Sequence, residues 1–266
     1  MEIACVNING FRSVCKSYNN PKKKDPHPNV TQKEIDFHKL VDNFDVICIQ
    51  ETRLNKLEEI EKCIKVLEDK GWCVEFNHSS GKKGYSGVAI MSRIKIDKVK
   101  EFVDDNDEGR LIRCNIGKYA IYSCYVPRIE SIPSPRMEYK RSILKQLERD
   151  VKRQSHPIVT GDFNTSLGPL DMHNWDKLNP EKHGTISYEE RDAVGTFLKN
   201  CNLYDTFRIL NPNKIEYTFF RYPTLKKQNK GWRIDYIFVP NGMKVKEADV
   251  LQKYNIADHS VIYIKI

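Results

Sequence analysis

The stretch "IVTGDFNTS", residues 158–166, runs strand formers into Gly161, Asp162, Phe163 and Asn164. Ile158 and Val159 read as the tip of a buried strand. Gly161 then frees the backbone, so a carboxylate and an amide two residues apart can project from one side of the strand end. Polar groups there must be solvated, paired with charge, or put to use. Other strand ends carry similar groups. "NING" offers Asn7 and Asn9, "ICIQET" offers Glu51, and "YSCYVP" ends at Tyr125. "RIDYIFV" sets Asp235 within an apolar strand, and "ADHS" sets Asp258 beside His259. Singly, an Asn at a strand end is a turn former and a Glu is a helix N-terminal charge. Together they describe a site along one sheet edge.

The chemistry of that set is coherent. Glu51, Asp162 and Asp258 are hard oxygen donors suited to Mg²⁺ or Mn²⁺. No cysteine–histidine spacing fits zinc. His259 can donate to an anionic oxygen, and Asp235, if near, orients the imidazole and raises its pKa. The amides of Asn7, Asn9 and Asn164 can hold a phosphate or a water without adding charge. A divalent metal, an Asp–His pair and neutral amides suit phosphodiester hydrolysis. There is no P-loop and no GxSxG elbow.

Strands must carry these tips. Strand-like runs occupy 2–8, 45–51, 72–76, 87–92, 98–103, 110–116, 119–126, 156–161, 216–222, 233–239 and 259–266, several with period-2 alternation. Helical spacing marks 34–44, 55–71 with Gly71 as its C-terminal glycine, 135–154, and 187–202 opening on a capping-box-like Ser187 and Glu190. Strands mixed with helices and no linker predict one α/β domain over 1–266, with packed sheets covered by helices. The 266 residues carry 44 Lys+Arg against 36 Asp+Glu, a net charge of +8 that leans toward polyanionic partners. No apolar run reaches membrane-spanning length, and Glu2 and Asn7 interrupt any leader pattern. The eight cysteines form no CxxC pair, which predicts free thiols and a reducing intracellular compartment. One insert, "SYNNPKKKDPHPN" (17–29), reads as a basic surface loop whose Lys22, Lys23 and Lys24 could reach phosphates.

The ordered strings "NINGFR", "IQET", "GYSGVAIMSR", "EGRLIRC", "YVP", "GDFN", "YTFF", "GWRIDY" and "ADHS" resemble the exonuclease III type of AP endonuclease, in the endonuclease/exonuclease/phosphatase superfamily. The likeness runs from Asn7 to the final strand. It implies a four-layered α/β sandwich, two mixed β-sheets flanked by helices, with the site at one end. It implies Mg²⁺-dependent incision of duplex DNA 5′ to an abasic site by a monomer, with 3′-end activities as an addition. Glu51 would be the main metal ligand, helped by Asn9 or Asp258. Asp162 would activate or position the attacking water, and Asn164 would orient it. His259, paired with Asp235, would hold the scissile phosphate, with Asn7 and Tyr125 adding hydrogen bonds. Phe219, Trp232 and Ile234 match the slot for a flipped baseless sugar, which excludes an intact nucleotide. Tyr85, in "GYSGVAIMSR", is implied as a substrate contact.

Departures from the family pattern are local. Arg128 stands in the loop after Tyr125 where relatives often have a small polar residue, and is also expected to contact substrate. Arg221, Pro223 and Lys226 fill the loop that usually enters the groove. A LINE-type retrotransposon endonuclease, which nicks intact duplex, is the nearest rival within the superfamily, and "GWRIDY" favours the repair branch.

Overall fold

The computed structural model describes residues 1–16 and 30–266. The basic insert at 17–29 lies outside the described residues. Two six-stranded sheets pack face to face. The first holds β1 (Glu2–Asn7), β2 (Val46–Gln50), β3 (Cys73–Asn77), β4 (Val88–Ser92), β11 (Glu247–Leu251) and β12 (Val261–Lys265), in the order β11-β12-β1-β2-β4-β3. The second holds β5 (Ile96–Glu101), β6 (Leu111–Ile116), β7 (Tyr119–Tyr125), β8 (Pro157–Asp162), β9 (Leu203–Asp205) and β10 (Asp235–Pro240), in the order β5-β6-β7-β8-β10-β9.

Period-2 alternation builds the layers. Ile3 and Cys5 of β1 point into the space between the sheets, with Val46, Cys48, Ile112, Ile121, Ile158 and Ile237. Ala4 and Val6 point outward, where Ile47 and Ile49 meet Phe37, Leu40 and Val41 of α1 (Gln32–Asn43) and Cys63 and Leu67 of α2 (Glu61–Asp69). On the other outer face, Tyr122, Val159 and Phe238 meet Ile143 and Leu147 of α3 (Arg136–Val151) and Val194 and Phe197 of α4 (Tyr188–Cys201). The result is helices, sheet, sheet, helices, the four-layered sandwich with mixed sheets.

One feature of the topology places the site. Among the described residues each sheet has a single parallel pair, β1–β2 and β7–β8, and its other pairs are antiparallel. A parallel pair needs a crossover, and α1 and α3 supply the two. The carboxyl ends of these four strands therefore share one edge of the sandwich. Antiparallel neighbours begin at that same edge: Asp235, first in β10, is register partner to Asp162, last in β8. Tyr125, last in β7, is the other partner of Asp162.

The helix ends follow their sequence. Thr31 and Glu34 form a reciprocal capping box on α1, which starts at Gln32, two residues before the expected start. Gly71 takes φ +81° after α2 and donates its N–H to Glu68 O at 2.8 Å. Ser187 accepts from Glu190 N at 3.2 Å, but the Glu190 carboxylate turns away to Lys140, so only half the expected box forms.

Two expectations need correction. Residues 216–222 form no strand. Phe219 makes single bridges to Trp232 and to His259, because the segment passes between them and divides its hydrogen bonds: Phe219 N to Trp232 O at 2.8 Å, Phe220 N to Asp258 O at 3.0 Å. The cysteines are not all free either. Cys15, after the short helical turn at 11–14, and Cys63 on α2 face each other with Cα atoms 5.7 Å apart and form a disulfide. That spacing suits a cross-link, and a sequence separation of 48 hid it from any local motif. The cysteine argument for a reducing compartment falls with it. Cys5, Cys48, Cys114 and Cys124 are free and buried, as expected.

Gly161 is irreplaceable for a steric reason. It sits at φ +151°, and a Cβ there would lie 2.0 Å from the carbonyl oxygen of Cys124 on β7. Gly161→Ala should therefore lower the urea unfolding free energy by about 3 kcal/mol, whereas Gly195→Ala, on α4 with open space around it, should raise or leave it.

Candidate active site

The first strand end contributes Asn7. Its side-chain Nδ2 donates to Glu51 Oε1 at 2.9 Å and to Asp162 Oδ2 at 3.1 Å. One buried amide thus ties a carboxylate from each sheet. Asn7 Oδ1 in turn accepts the backbone N–H of Asn9 at 3.1 Å, and Asn9 Nδ2 reaches Asp258 Oδ1 at 3.4 Å on the exposed rim. The path Asp258–Asn9–Asn7–Glu51 forms one wall of the cleft.

Glu51 follows β2 in left-handed backbone, φ +52°, and so does Arg53. The two turns fold Arg53 back onto the preceding carboxylate: Nε lies 2.9 Å and Nη2 2.5 Å from Glu51 Oε2. Burial pushes the Glu51 carboxyl up, but hydrogen bonds from Asn7 and Arg53 and the Arg53 charge outweigh it and hold it below the usual carboxylate range. Arg53 was not singled out from sequence.

The other wall is the Asp162–Asp235–His259 group. Its ligand atoms lie within 4.8 Å of one another, and all three residues are buried. His259 Nδ1 is 2.8 Å from Asp235 Oδ2, and Nε2 is 3.9 Å from Asp162 Oδ2. Burial works to lower the imidazole pKa, yet Asp235, by charge and hydrogen bond, and then Asp162 raise it to about 10. His259 is therefore an imidazolium at neutral pH. Burial, then the Asp235 charge, push Asp162 up to about 7 against the pull of His259. The Asp235 pairing expected for His259 is present.

Asn164 is buried in left-handed backbone, φ +51°. Its N–H donates to Asp162 Oδ1 at 2.9 Å, and its Nδ2 to Val126 O at 3.0 Å, which leaves Oδ1 to face other groups. Tyr125 lies against Glu51 and Asp162. Burial and those two charges push its phenol well above the ordinary value, so it is a hydroxyl donor. Arg110 positions it: Nη1 donates to Tyr125 O at 2.8 Å and the guanidinium stacks 4.7 Å from the Tyr125 ring. The same guanidinium donates to the Tyr85 hydroxyl at 3.2 Å, so Tyr85 joins this wall through Arg110.

Phe219 and Trp232 stand beside the polar cleft, ring centroids 5.4 Å apart, and Phe219 lies 5.0 Å from the His259 ring. Both are half-buried, and Ile234, two residues after Trp232, is buried. A fourth ring was missed from sequence. His183 presents an edge to Trp232 at 5.6 Å, and burial followed by the Arg128 charge lowers its pKa. Arg128 itself is exposed at this rim.

The donor set fits a hard divalent cation. It offers carboxylate and amide oxygens, and Asp235 Oδ1 is buried with no hydrogen-bond partner. The tight Asp162–Asp235–His259 cluster is the weaker place for an ion, because its imidazole is held protonated by Asp235. The Glu51 wall, with Asn9 and Asp258, offers oxygens alone.

Residues 4–259 match the model of the Endonuclease/Exonuclease/phosphatase family. The chain is 27% identical to the exodeoxyribonuclease of Bacillus subtilis, across 100% of this chain and 99% of that protein. It is also 27% identical to the DNA-(apurinic or apyrimidinic site) endonuclease of Dictyostelium discoideum, across 90% of this chain and 62% of that protein. Among solved structures, an AP endonuclease from Archaeoglobus fulgidus superposes with a TM-score of 0.81 at 26% identity, covering 100% of this chain and 99% of that one. A 3′-5′ exonuclease from Neisseria meningitidis shares the fold, with a TM-score of 0.82 at 23% identity. With its family match, its sandwich fold and its acidic cleft, this chain belongs to the Endonuclease/Exonuclease/phosphatase family, among its exonuclease III-like hydrolases.

Proposed function

We propose that the protein is a Mg²⁺-dependent DNA nuclease that hydrolyses the phosphodiester 5′ to an abasic site in duplex DNA. The observation that carries this reading is the single amide of Asn7 bridging Glu51 and Asp162, opposite the His259–Asp235 pair and beside the Phe219–Trp232 rings. Relatives named as AP endonucleases support the substrate. The basic balance of the chain, +8, suits a polyanion.

Each residue has a task in that reaction. Asp162, with a pKa near 7, accepts the proton of the attacking water at neutral pH. Asn164 Oδ1, free of the Val126 contact, orients that water as an acceptor. The His259 imidazolium donates from Nε2 to a non-bridging phosphate oxygen and offsets the charge that builds there. Tyr125, held protonated, adds a second donor. Asn7 keeps Glu51 and Asp162 apart at fixed distance. Held by Glu51 with Asn9 or Asp258, Mg²⁺ would supply positive charge to the phosphate and the departing oxygen. The Phe219, Trp232 and Ile234 wall accepts an apolar sugar face, and flipping is easiest where no base is stacked. Arg128 and Tyr85 flank the cleft at positions suited to backbone phosphates.

A second activity, hydrolysis at 3′ ends, has its own support. The Bacillus subtilis relative that spans the whole chain is named an exodeoxyribonuclease. His183 also packs on Trp232 and narrows that side of the wall. The balance between the two is read by offering an internal abasic duplex and a 3′-phosphate duplex in competition.

Incision of a labelled abasic duplex should require Mg²⁺ and stop in EDTA. Asp162→Asn should reduce the single-turnover rate by about a thousandfold, with duplex binding retained. Equal rates on intact duplex, or full activity of Asp162→Asn, would sink the reading.

The pH behaviour of His259 follows from its pairing. Its folded pKa, about 10, lies above the ordinary 6.5. The pair therefore stabilises the fold fully below pH 6.5 and loses that contribution as pH rises through about 10. In EDTA-treated protein, the His259 ring proton should titrate near pH 10 by NMR. Asp235→Asn should bring it back toward the ordinary value and make incision fall off on the alkaline side of neutrality.

A further inference from the structure

Lys140 is a fully buried lysine that the reaction above does not use. It sits on α3 and its ammonium meets Glu190 of α4. The Nζ also donates to Phe163 O at 3.1 Å and to Thr165 Oγ1 at 2.6 Å. The Thr165 hydroxyl donates to the same Phe163 carbonyl at 3.1 Å. Buried charge of this kind is a poor way to gain stability, since desolvation offsets most of the attraction. An apolar helix pair would pack as well.

The location of the ammonium suggests what it does. Phe163 O and Asn164 N are the two ends of one peptide plane. The oxygen end is held by Lys140 and Thr165, and the N–H end donates to Asp162 Oδ1 at 2.9 Å. That peptide opens into a left-handed residue, Asn164 at φ +51°, so its orientation is not a default of the chain. A cation on the carbonyl also polarises the peptide and strengthens the N–H as a donor.

We infer that Lys140 is a positioning residue: its ammonium fixes the Phe163–Asn164 peptide so that the N–H stays on the Asp162 carboxylate and the Asn164 side chain faces the cleft. Glu190 serves to keep that ammonium charged and in place within the apolar layer between α3 and α4. The inference rests on the reading of Asp162 as the group that activates water. It adds a control of that residue from the far side of the sheet, outside any contact with substrate.

The test compares three proteins on the abasic duplex. Lys140→Met combined with Glu190→Gln removes both charges and leaves no orphaned carboxylate. It should lower kcat at least about tenfold through misplacement of Asp162, with KM within about a factor of two, and it should move the Asn164 amide proton upfield. Glu190→Gln alone leaves the Lys140 amine beside Phe163 O but without its charge partner, and should lower kcat less than the double variant does. A purely structural pair predicts the reverse: both variants lose thermal stability together, while kcat and the Asn164 amide stay at wild-type values, and that result overturns the proposal. Should the double variant fail to fold, the wild-type protein decides. A coupling across the hydrogen bond between Lys140 Nζ and the Phe163 carbonyl carbon, with a slowly exchanging Asn164 amide, supports the proposal; a rapidly exchanging amide without that coupling refutes it. Asp162→Asn with full activity would refute the underlying reading instead, so the two failures are distinct.

Discussion

Everything at the cleft depends on holding like charges close together in a water-poor place. Asp162 and Asp235 are register partners on adjacent strands, both buried. Two carboxylates so placed repel, and desolvation adds to the penalty. The structure answers with the imidazolium of His259, which contacts Asp235 at 2.8 Å and stands 3.9 Å from Asp162. The answer is incomplete, and usefully so. Asp235 takes the closer contact and keeps the imidazole charged, while Asp162 is left with a pKa pushed up to about 7. The same compression thus pushes the Asp162 carboxyl up to about 7 and holds the His259 imidazole well above its ordinary range. Across the cleft, Asn7 and Arg53 do the opposite for Glu51, whose carboxyl is held ionised.

Backbone strain gathers at the same edge. Asn9, Glu51, Arg53, Ser86 and Asn164 all have φ near +50°, and none is glycine. Such conformations persist only where hydrogen bonds over-determine them. Here Gly10 N donates to Glu51 O at 2.8 Å, Arg53 N to Ser86 O at 2.9 Å, and Asn164 N to Asp162 Oδ1 at 2.9 Å. The strands behind them are fully covered on both faces, so they form a rigid frame against which these turns are held.

The legible part of this protein was the part with local periodicity. Alternating or continuous apolar runs marked β1, β2, β7, β8 and β12, and helical spacing marked all four long helices. Polar residues at strand tips stood out because each interrupted such a pattern, and the tips of β1, β2, β7, β8 and β10 do converge. Three-residue β9 was too short to be read, and β11 alternates over only five residues with small Ala248 and Val250 as its buried side chains. Residues 216–222 carried the composition of a strand, but their bonds are divided between Trp232 and His259. Arg53 was invisible for a different reason. Two residues after Glu51 in ordinary turns it has no set orientation, and only consecutive left-handed turns around Thr52 bring it back. Lys140 did leave a trace. Met137, Leu144, Leu147 and Val151 mark the buried stripe of α3, and Lys140 falls on that stripe at helical spacing. A lysine on a core stripe is a misfit that needs a partner, and Glu190, the capping residue that never closes its box, is that partner.

The aromatic wall follows from the same economy of placement. Phe219 lies between Trp232 and His259 because its segment hydrogen-bonds to both, and this puts an apolar ring face next to a buried cation. Gly231 makes that crossing possible: a Cβ there would meet Phe219 O at 2.3 Å. Arg233, buried and paired with Asp171 at 2.8 Å and Asp205 at 2.7 Å, anchors the segment that carries Trp232 and Ile234 just before β10. The ring wall is therefore tied to the segment that leads directly into β10, whose first residue is Asp235. A movement of the wall would carry the partner of His259 with it, so the placement of the rings and the pairing of the imidazole are set by one continuous segment.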